Sequence, residues 1–422
     1  MISVEEALEK ILSTVRVLEP ETKPILTCLG QVLAGDIIAG FDIPPYDNSA
    51  MDGFAVLYSD TAGASANRPA CLEVIGEVAA GYTSALKLTP GKAIRIMTGA
   101  PLPEGADAVV QFEKTDETNR KRNNLTLDNI GIVEPAAASQ NIRFKGEDIR
   151  AGQVVLKKGS TLYPADLGVL ASLGLAQATV IRRPVISVLS TGDELCETDQ
   201  PLSPGKIYNS NTYTIAANIV LCGGIPRILG IGRDTLASLQ NKISHGLDAD
   251  MLITSGGVSR GDYDVVKDVL AHMGSVSFWT VRMKPGKPIA FGTLKSSRGS
   301  VIRDIPHLGL PGNPVSSMNT FEQFARPAIF KMLGKTNFNR PIVLATIDRN
   351  IVNDDGRRVF ARVHVKRTAD GWTASLTGPQ GSGILTSMSA ANGLAIVTED
   401  CPLARAGDQV KVQLLDNAVG IY

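Results

Sequence analysis

Val185-Ile186-Ser187-Val188-Leu189, followed by Ser190-Thr191-Gly192-Asp193-Glu194, decides the fold of the middle of this chain. The first five residues read as a strand buried on both faces, and the next five as a small, glycine-containing, acidic turn. A helical run, Thr212 to Leu221, comes next. The same order recurs in Arg227 to Gly230, Gly232-Arg233-Asp234 and Leu236 to Leu247. It recurs again in Met251 to Thr254, the loop Ser255-Gly256-Gly257-Val258-Ser259-Arg260-Gly261-Asp262-Tyr263-Asp264, and a helix from Tyr263 to His272. Alternation of this kind implies right-handed crossovers and a largely parallel sheet between Pro184 and about Leu333.

Working outward, Ser3 and Glu6 stand in capping-box spacing ahead of Val4, Ala7, Leu8, Ile11, Leu12 and Val15, which predicts an amphipathic N-terminal helix. A second apolar stretch, Val32 to Ala39, runs into Pro44-Pro45, where helix cannot continue. From Phe54 to about Ile142 the signals are short strands (Leu72 to Val78, Ala93 to Met97, Ala108 to Phe112, Leu125 to Leu127) separated by Gly, Pro, Asn or Asp. Val154 to Leu156 and a helical run Ala165 to Leu173, ended by Gly174, return the chain to its first unit, so that unit is expected to be discontinuous. After about Phe338 five strand signals (Ile342 to Ile347, Val359 to Val365, Thr373 to Leu376, Leu394 to Val397, Val410 to Leu414) are spaced as in a small β-barrel.

The 422 residues exceed one core, and length alone suggests about three domains. Lys+Arg and Asp+Glu both number 42, which removes the chain-wide basic field a nucleic-acid binder uses. Cys28, Cys71, Cys196, Cys222 and Cys401 form no CxxC pair, so reduced, mostly buried thiols are expected. The N-terminus is unlike a signal peptide, and the longest uncharged stretch, Ile207 to Pro226, carries too many Asn, Ser and Thr to span a bilayer. A soluble cytoplasmic protein without a membrane segment is expected.

In parallel sheets ligands bind beyond the carboxyl ends of the strands, where glycines let backbone N–H groups approach phosphate oxygens. Here those loops hold Thr191-Gly192-Asp193-Glu194, Asp234, Ser255-Gly256-Gly257-Val258-Ser259 through Asp264, and Pro311-Gly312-Asn313-Pro314-Val315-Ser316. Each loop alone reads as a tight turn with solvent-facing acids and helix caps. Convergence of Glu194, Asp234 and Asp264 argues instead for Mg²⁺ bridging carboxylates and phosphates. In Lys284-Pro285-Gly286-Lys287-Pro288, two prolines stiffen a loop that presents two ammonium groups, suited to an oxyanion. Gly257-Val258-Ser259-Arg260-Gly261 matches the hydrolase G-x-S-x-G pattern, but Ser259 does not directly follow its strand, and the four histidines show no candidate base or metal-ligand spacing.

Taken in order, Ser49-Ala50-Met51-Asp52-Gly53, Thr98 to Val109, Arg143 with Gly146-Glu147-Asp148, Ser190 to Leu195, Ser255 to Ser259, Lys284 to Pro288 and Leu310 to Ser316 resemble the molybdopterin molybdenumtransferase (MoeA) family, which includes the E domain of gephyrin. The likeness runs over essentially the whole chain. It implies a multidomain α/β plus β protein: a discontinuous helical domain (1–45 and 147–182), a β-rich insertion (46–146), an α/β domain binding the pterin nucleotide (183–335) and a C-terminal β-barrel (336–422). The implied reaction consumes adenylylated molybdopterin and molybdate and releases AMP, with Mg²⁺ as cofactor. A homodimer is implied, and a molybdopterin adenylyltransferase is the expected source of substrate. By motif, Asp52, Thr98, Asp148 and Arg143 would serve the cleft wall facing the dimer partner, and Glu194, Asp234 and Asp264 the metal and pyrophosphate. Lys284, Lys287, Ser316, Arg362 and Ser382 would hold molybdate. Thr280, where several relatives carry lysine, and Phe144, where a basic residue is common, depart from the pattern. A scaffold protein on the same fold is the alternative from another class, though its relatives carry extra domains.

Overall fold

The computed structural model describes residues 1–258, 265–298 and 301–415. The chain forms two compact units: Met1–Ala34, Gly159–Leu167 and Ala176–Tyr422 in the first, Gly35–Lys158 and Gly168–Leu175 in the second.

The first unit is built on a six-stranded sheet in the order Ile225–Gly232, Val185–Thr191, Met251–Ser255, Val301–Leu310, Pro288–Arg298, Gly274–Thr280. The first four strands are parallel, and the last two join antiparallel. The largely parallel sheet read from sequence therefore lacked a hairpin. Lys295, Ser296, Arg303 and Asp304 pair across that hairpin, and their polarity broke the apolar signal.

Alternating side chains cover both faces. Ile186, Val188, Met251, Ile253, Leu308 and Leu310 enter one core with Ile215 and Ile219 of helix Ser210–Cys222 and with Phe321 and Phe324. Leu189, Leu252 and Ile305 enter another with Leu239 and Ile243 of helix Leu236–Gly246 and with Val266, Val269 and Leu270 of helix Val265–Met273. Each fully buried aliphatic of this kind contributes about 1.5–3 kcal/mol. The N-terminal helix Val4–Thr14, capped as expected by Ser3 accepting from the Glu6 N–H, docks Ala7 and Ile11 into the first core. These two cores position the site. The helix after Val185–Thr191 leaves toward one face and the helix after its neighbour Met251–Ser255 toward the other, so a crevice opens between their carboxyl ends.

Ile342–Ile347, Arg358–Thr368, Gly371–Leu376, Gly393–Val397 and Gln409–Leu414 close into a barrel, because Arg358–Thr368 pairs with both Gly371–Leu376 and Gly393–Val397. Its core includes Ile347, Val363, Val365, Ala395 and Val412.

The second unit carries a five-stranded sheet ordered Ala108–Gln111, Gly53–Val56, Lys92–Ile96, Ala70–Val78, Asn129–Ile132. Phe54 and Val56 face one core and Ala55 the other, the period of a sheet covered on both sides. Leu125 to Leu127 is not a strand. The Leu125 N–H donates to the Arg120 carbonyl and closes the short helix Glu117–Arg122, with Asn124 at φ 52°, and the strand starts at Asn129. No helix among the described residues is long and apolar enough to cross a membrane. The five cysteines are free, but only Cys28 and Cys222 are buried, and Cys71 is exposed rather than packed.

His307 is wholly buried in the first unit's sheet, its Nε2 3.0 Å from Thr254 Oγ1. Burial pushes its pKa down to about 3, so the native imidazole stays neutral. Below its ordinary value near 6.5 the unfolded chain takes up a proton that the native state refuses, so this residue withdraws stability as pH falls from 6.5 toward 3. The slope attributable to it is at most about 1.4 kcal/mol per pH unit. Urea unfolding of the wild type and His307→Phe between pH 7 and 4.5 should show a flatter pH dependence in the variant; identical slopes would contradict this.

Candidate active site at the carboxyl edge of the sheet

A cleft of about 760 Å³ lies where the crevice opens. Thr191, Gly192, Glu194, Asp234, Ser255, Gly256, Gly257, Pro311, Gly312, Asn313 and Ser316 all line it, so loops far apart in sequence meet at one sheet edge. Parallel register is the cause: Ser190 stands opposite Ser255, and Ser255 opposite Leu310, so the three loops start level.

The loops are locked to one another. Gly192 N–H donates to Gly232 O at 3.2 Å, and Gly256 N–H to Leu310 O at 3.1 Å. Gly256 sits at φ 99°, and a Cβ there would lie 2.5 Å from the Thr191 carbonyl, so the loop closes this tightly only with glycine. Asp193 and Asp234 exchange bonds, each carboxylate accepting the other's backbone N–H at 3.2 and 3.3 Å. Arg233 donates to the carbonyls of Asp193 and Leu195 at 3.2 and 3.0 Å and so braces the loop that carries Glu194.

Two helix N-termini reach the cleft. Pro314–Thr320 begins with proline in its first turn, and its Val315 N–H donates to the Ser382 carbonyl at 3.0 Å. Ser210–Cys222 begins at the cap Asn209. Residues Tyr208 to Asn211 line the cleft but were absent from the sequence-derived site. The apolar run starts the helix at Thr212, two residues late; the signal that marks its true start is Asn209, a capping residue type directly ahead of Ser210.

The basic loop is presented differently from the cleft walls. Lys284 pairs with Asp354 at 3.2 Å and Asp355 at 3.7 Å, while Lys287 is exposed. Arg357, foremost, and then Lys284 hold the Asp355 carboxyl below its ordinary range. Asn319 Nδ2 donates to Pro285 O at 2.8 Å, and Gly286 presses on the helix so closely that a Cβ would lie 2.6 Å from Thr320 Oγ1. Pro288 reaches the cleft lining; Lys284 and Lys287 do not line it.

Arg362 is buried to 1 % exposure and donates to the carbonyls of Pro379, Gln380 and Gly381 and to Ser387 Oγ at 3.0–3.1 Å. Burial lowers its pKa to about 10. The turn it holds leads through Ser382 to Gly383, which does line the cleft.

Ser259 and Asp264 lie outside the described residues. Among the described residues no group of three or more His, Cys, Asp or Glu could hold a metal ion. Glu194 and Asp234 both line the cleft, so two carboxylates face it.

In the second unit Asp52 Oδ1 accepts from the Thr98 N–H at 2.7 Å and from its hydroxyl at 2.8 Å, and the backbone bond, then the hydroxyl, lowers the Asp52 pKa. Arg143 pairs with Asn48 in a two-residue strand, and the Asp148 N–H donates to the Ile43 carbonyl at 3.0 Å.

Three family profiles match the chain in order: the MoeA N-terminal region, domains I and II (residues 2–174), a probable molybdopterin binding domain (187–331) and the MoeA C-terminal region, domain IV (345–415). Molybdopterin molybdenumtransferase 2 of Mycobacterium tuberculosis strain H37Rv is 37% identical over 419 residues, covering 98% of this chain and 99% of its own. Molybdopterin molybdenumtransferase of Haemophilus influenzae is 34% identical over 429 residues, covering 100% of both. The crystal structure of the molybdopterin biosynthesis MoeA protein of Pyrococcus horikoshii superposes with a TM-score of 0.80 at 32% identity, covering 98% of this chain and 99% of that one. Full-length coverage at these identities, on the same fold, places this chain in the MoeA family.

Proposed function

We propose that this protein completes the molybdenum cofactor: it takes adenylylated molybdopterin and molybdate, places molybdenum on the dithiolene sulfurs and releases AMP. The observation that carries the reading is the cleft itself, in which three glycine-bearing loops, two helix N-termini and two carboxylates face one space. Backbone N–H groups at Gly257 and Gly312 suit phosphate oxygens, while the Gly256 N–H and the Ser255 and Thr191 hydroxyls hold the loops that carry them.

Glu194 and Asp234 would hold Mg²⁺, with Asp264 as the further candidate; the ion when bound neutralises charge on the pyrophosphate. The chain's own residues do the rest. Gly192 to Leu195, braced by Arg233, keeps Glu194 in place, and the Asp193–Asp234 exchange fixes the neighbouring loop. Lys284 and Lys287 on the stiff loop, with Ser316 and Ser382, would receive molybdate. Lys284 can be released for that purpose cheaply, since exposed ion pairs are worth about 0–1 kcal/mol. Arg362 would act through the 379–383 turn. Asp52, Thr98, Arg143, Asp148, Asn313 and Pro311 would contribute to the same chemistry, which would depend on Mg²⁺ in a homodimer, and a molybdopterin adenylyltransferase would supply the substrate.

Purified protein given adenylylated molybdopterin, molybdate and Mg²⁺ should release AMP. Glu194→Gln and Asp234→Asn should slow release by about 10²–10³-fold at unchanged Tm, the scale of losing one preorganised electrostatic group; wild-type rates in both would refute their roles. Arg362→Lys should lower unfolding free energy by about 2–4 kcal/mol, since an ammonium cannot span the four acceptors and some are left unpaired. A change below about 0.5 kcal/mol in urea unfolding would show that Arg362 does not hold its turn.

A further inference from the structure

Asn211 was not expected at the site, and its geometry distinguishes it from the other cleft-lining residues. It lies in the first turn of helix Ser210–Cys222, which follows strand Val185–Thr191 after a connection that carries the short paired strands Leu195–Cys196 and Ile207–Tyr208. That turn is held on two sides. Asn209 accepts from the Thr212 N–H at 3.3 Å and donates to Thr212 Oγ1 at 3.0 Å, and Thr212 Oγ1 lies 2.8 Å from Ser190 Oγ. The direction of the Asn211 side chain is therefore set before any ligand arrives.

From there the Asn211 Nδ2 group donates to Ser255 Oγ at 2.8 Å and to the Gly312 carbonyl at 2.7 Å. Ser255 Oγ in turn donates to the Pro311 carbonyl at 3.3 Å. The Gly312 carbonyl can only accept, so the amino end of the amide must face it, and both amino hydrogens are then in use. Asn211 Oδ1 is left buried without a hydrogen-bond partner among the described residues. A buried acceptor without a partner is unfavourable, so this amide is better explained by the geometry it imposes than by stability.

We propose that Asn211 is a positioning residue: one amide ties the loop after Met251–Ser255 to the loop after Val301–Leu310, and so fixes the spacing of the backbone donors that hold the ligand's phosphate. This deepens the proposed function and rests on its reading of the cleft as a nucleotide site. Asn211 acts through Ser255 and Gly312, not on the reacting atoms. Aspartate at this position keeps the size but offers no N–H, and sets a carboxylate against the Gly312 carbonyl; alanine removes the tie altogether.

The test has two arms, both on the full-length protein. In the first, hydrogen exchange of the ligand-free protein should be at least about tenfold faster in Asn211→Ala than in wild type for peptides covering 251–258 and 309–316, and unchanged in the barrel. In the second, titration with AMP and Mg²⁺ should give a Kd raised about tenfold to hundredfold in Asn211→Ala and at least as much in Asn211→Asp. The double variant Asn211→Ala with Ser255→Ala should bind no more weakly than the worse single variant by more than about twofold, because the two changes break one connection. Unchanged exchange in the two peptides overturns the positioning claim. Faster exchange with unchanged AMP affinity overturns its functional half. Wild-type protein that fails to bind AMP refutes the nucleotide reading, and the exchange arm still decides whether Asn211 ties the loops.

Discussion

The hydrogen-bond register of three parallel strands is the constraint on which the rest of the first unit depends. Ser190 opposite Ser255, and Ser255 opposite Leu310, make the strands end level, and a one-residue slip would turn every side chain of a strand to the wrong core. That slip is resisted by the strict partition of neighbours: Val188 to one core and Leu189 to the other, Leu252 opposite in facing to Met251 and Ile253. Packing thus fixes register, register fixes which loops meet, and the loops make the cleft.

Within the cleft the polar groups hold one another before any ligand binds. Arg233 grips carbonyls of the Glu194 loop, Asp193 and Asp234 grip each other's backbone, and Asn211 joins two further loops. The basic loop is held independently, by Asn319 and by the close seat of Gly286 on the helix that starts at Pro314. Such prior fixing means that an anionic ligand meets donors already in place, at no cost in reorganisation. The acids and the cations are borne on separate loops, so neither neutralises the other: Glu194 and Asp234 line the cleft, whereas Lys284 pairs with Asp354 and Asp355 from the barrel side.

Much of this was legible in the sequence because it rests on local patterns. The strand-loop-helix alternation, the Ser3 cap and the five barrel strands follow from apolar periodicity and turn residues, and all recur in the structure. The cleft loops were legible as loops because glycine and acids mark strand ends. The hairpin Pro288–Arg298 with Val301–Leu310 was not, since its outer residues are polar and its pairing partners are set by tertiary contact. Leu125 misled because an apolar residue closing a helix looks like the start of a strand. The roles of Arg233, Asn211 and Arg362 depend on which carbonyls they meet across long sequence separations, information that no spacing rule contains.

The most direct test is a crystal structure of the protein grown with AMP, Mg²⁺ and molybdate. The account predicts the AMP phosphate against the backbone of Gly257 and Gly312, the cation on Glu194 and Asp234, and the tetrahedral oxyanion at Ser316, where Pro288 brings the basic loop to the cleft. Density for nucleotide and oxyanion on faces away from the carboxyl edge of the sheet, with this cleft filled by solvent alone, would contradict it.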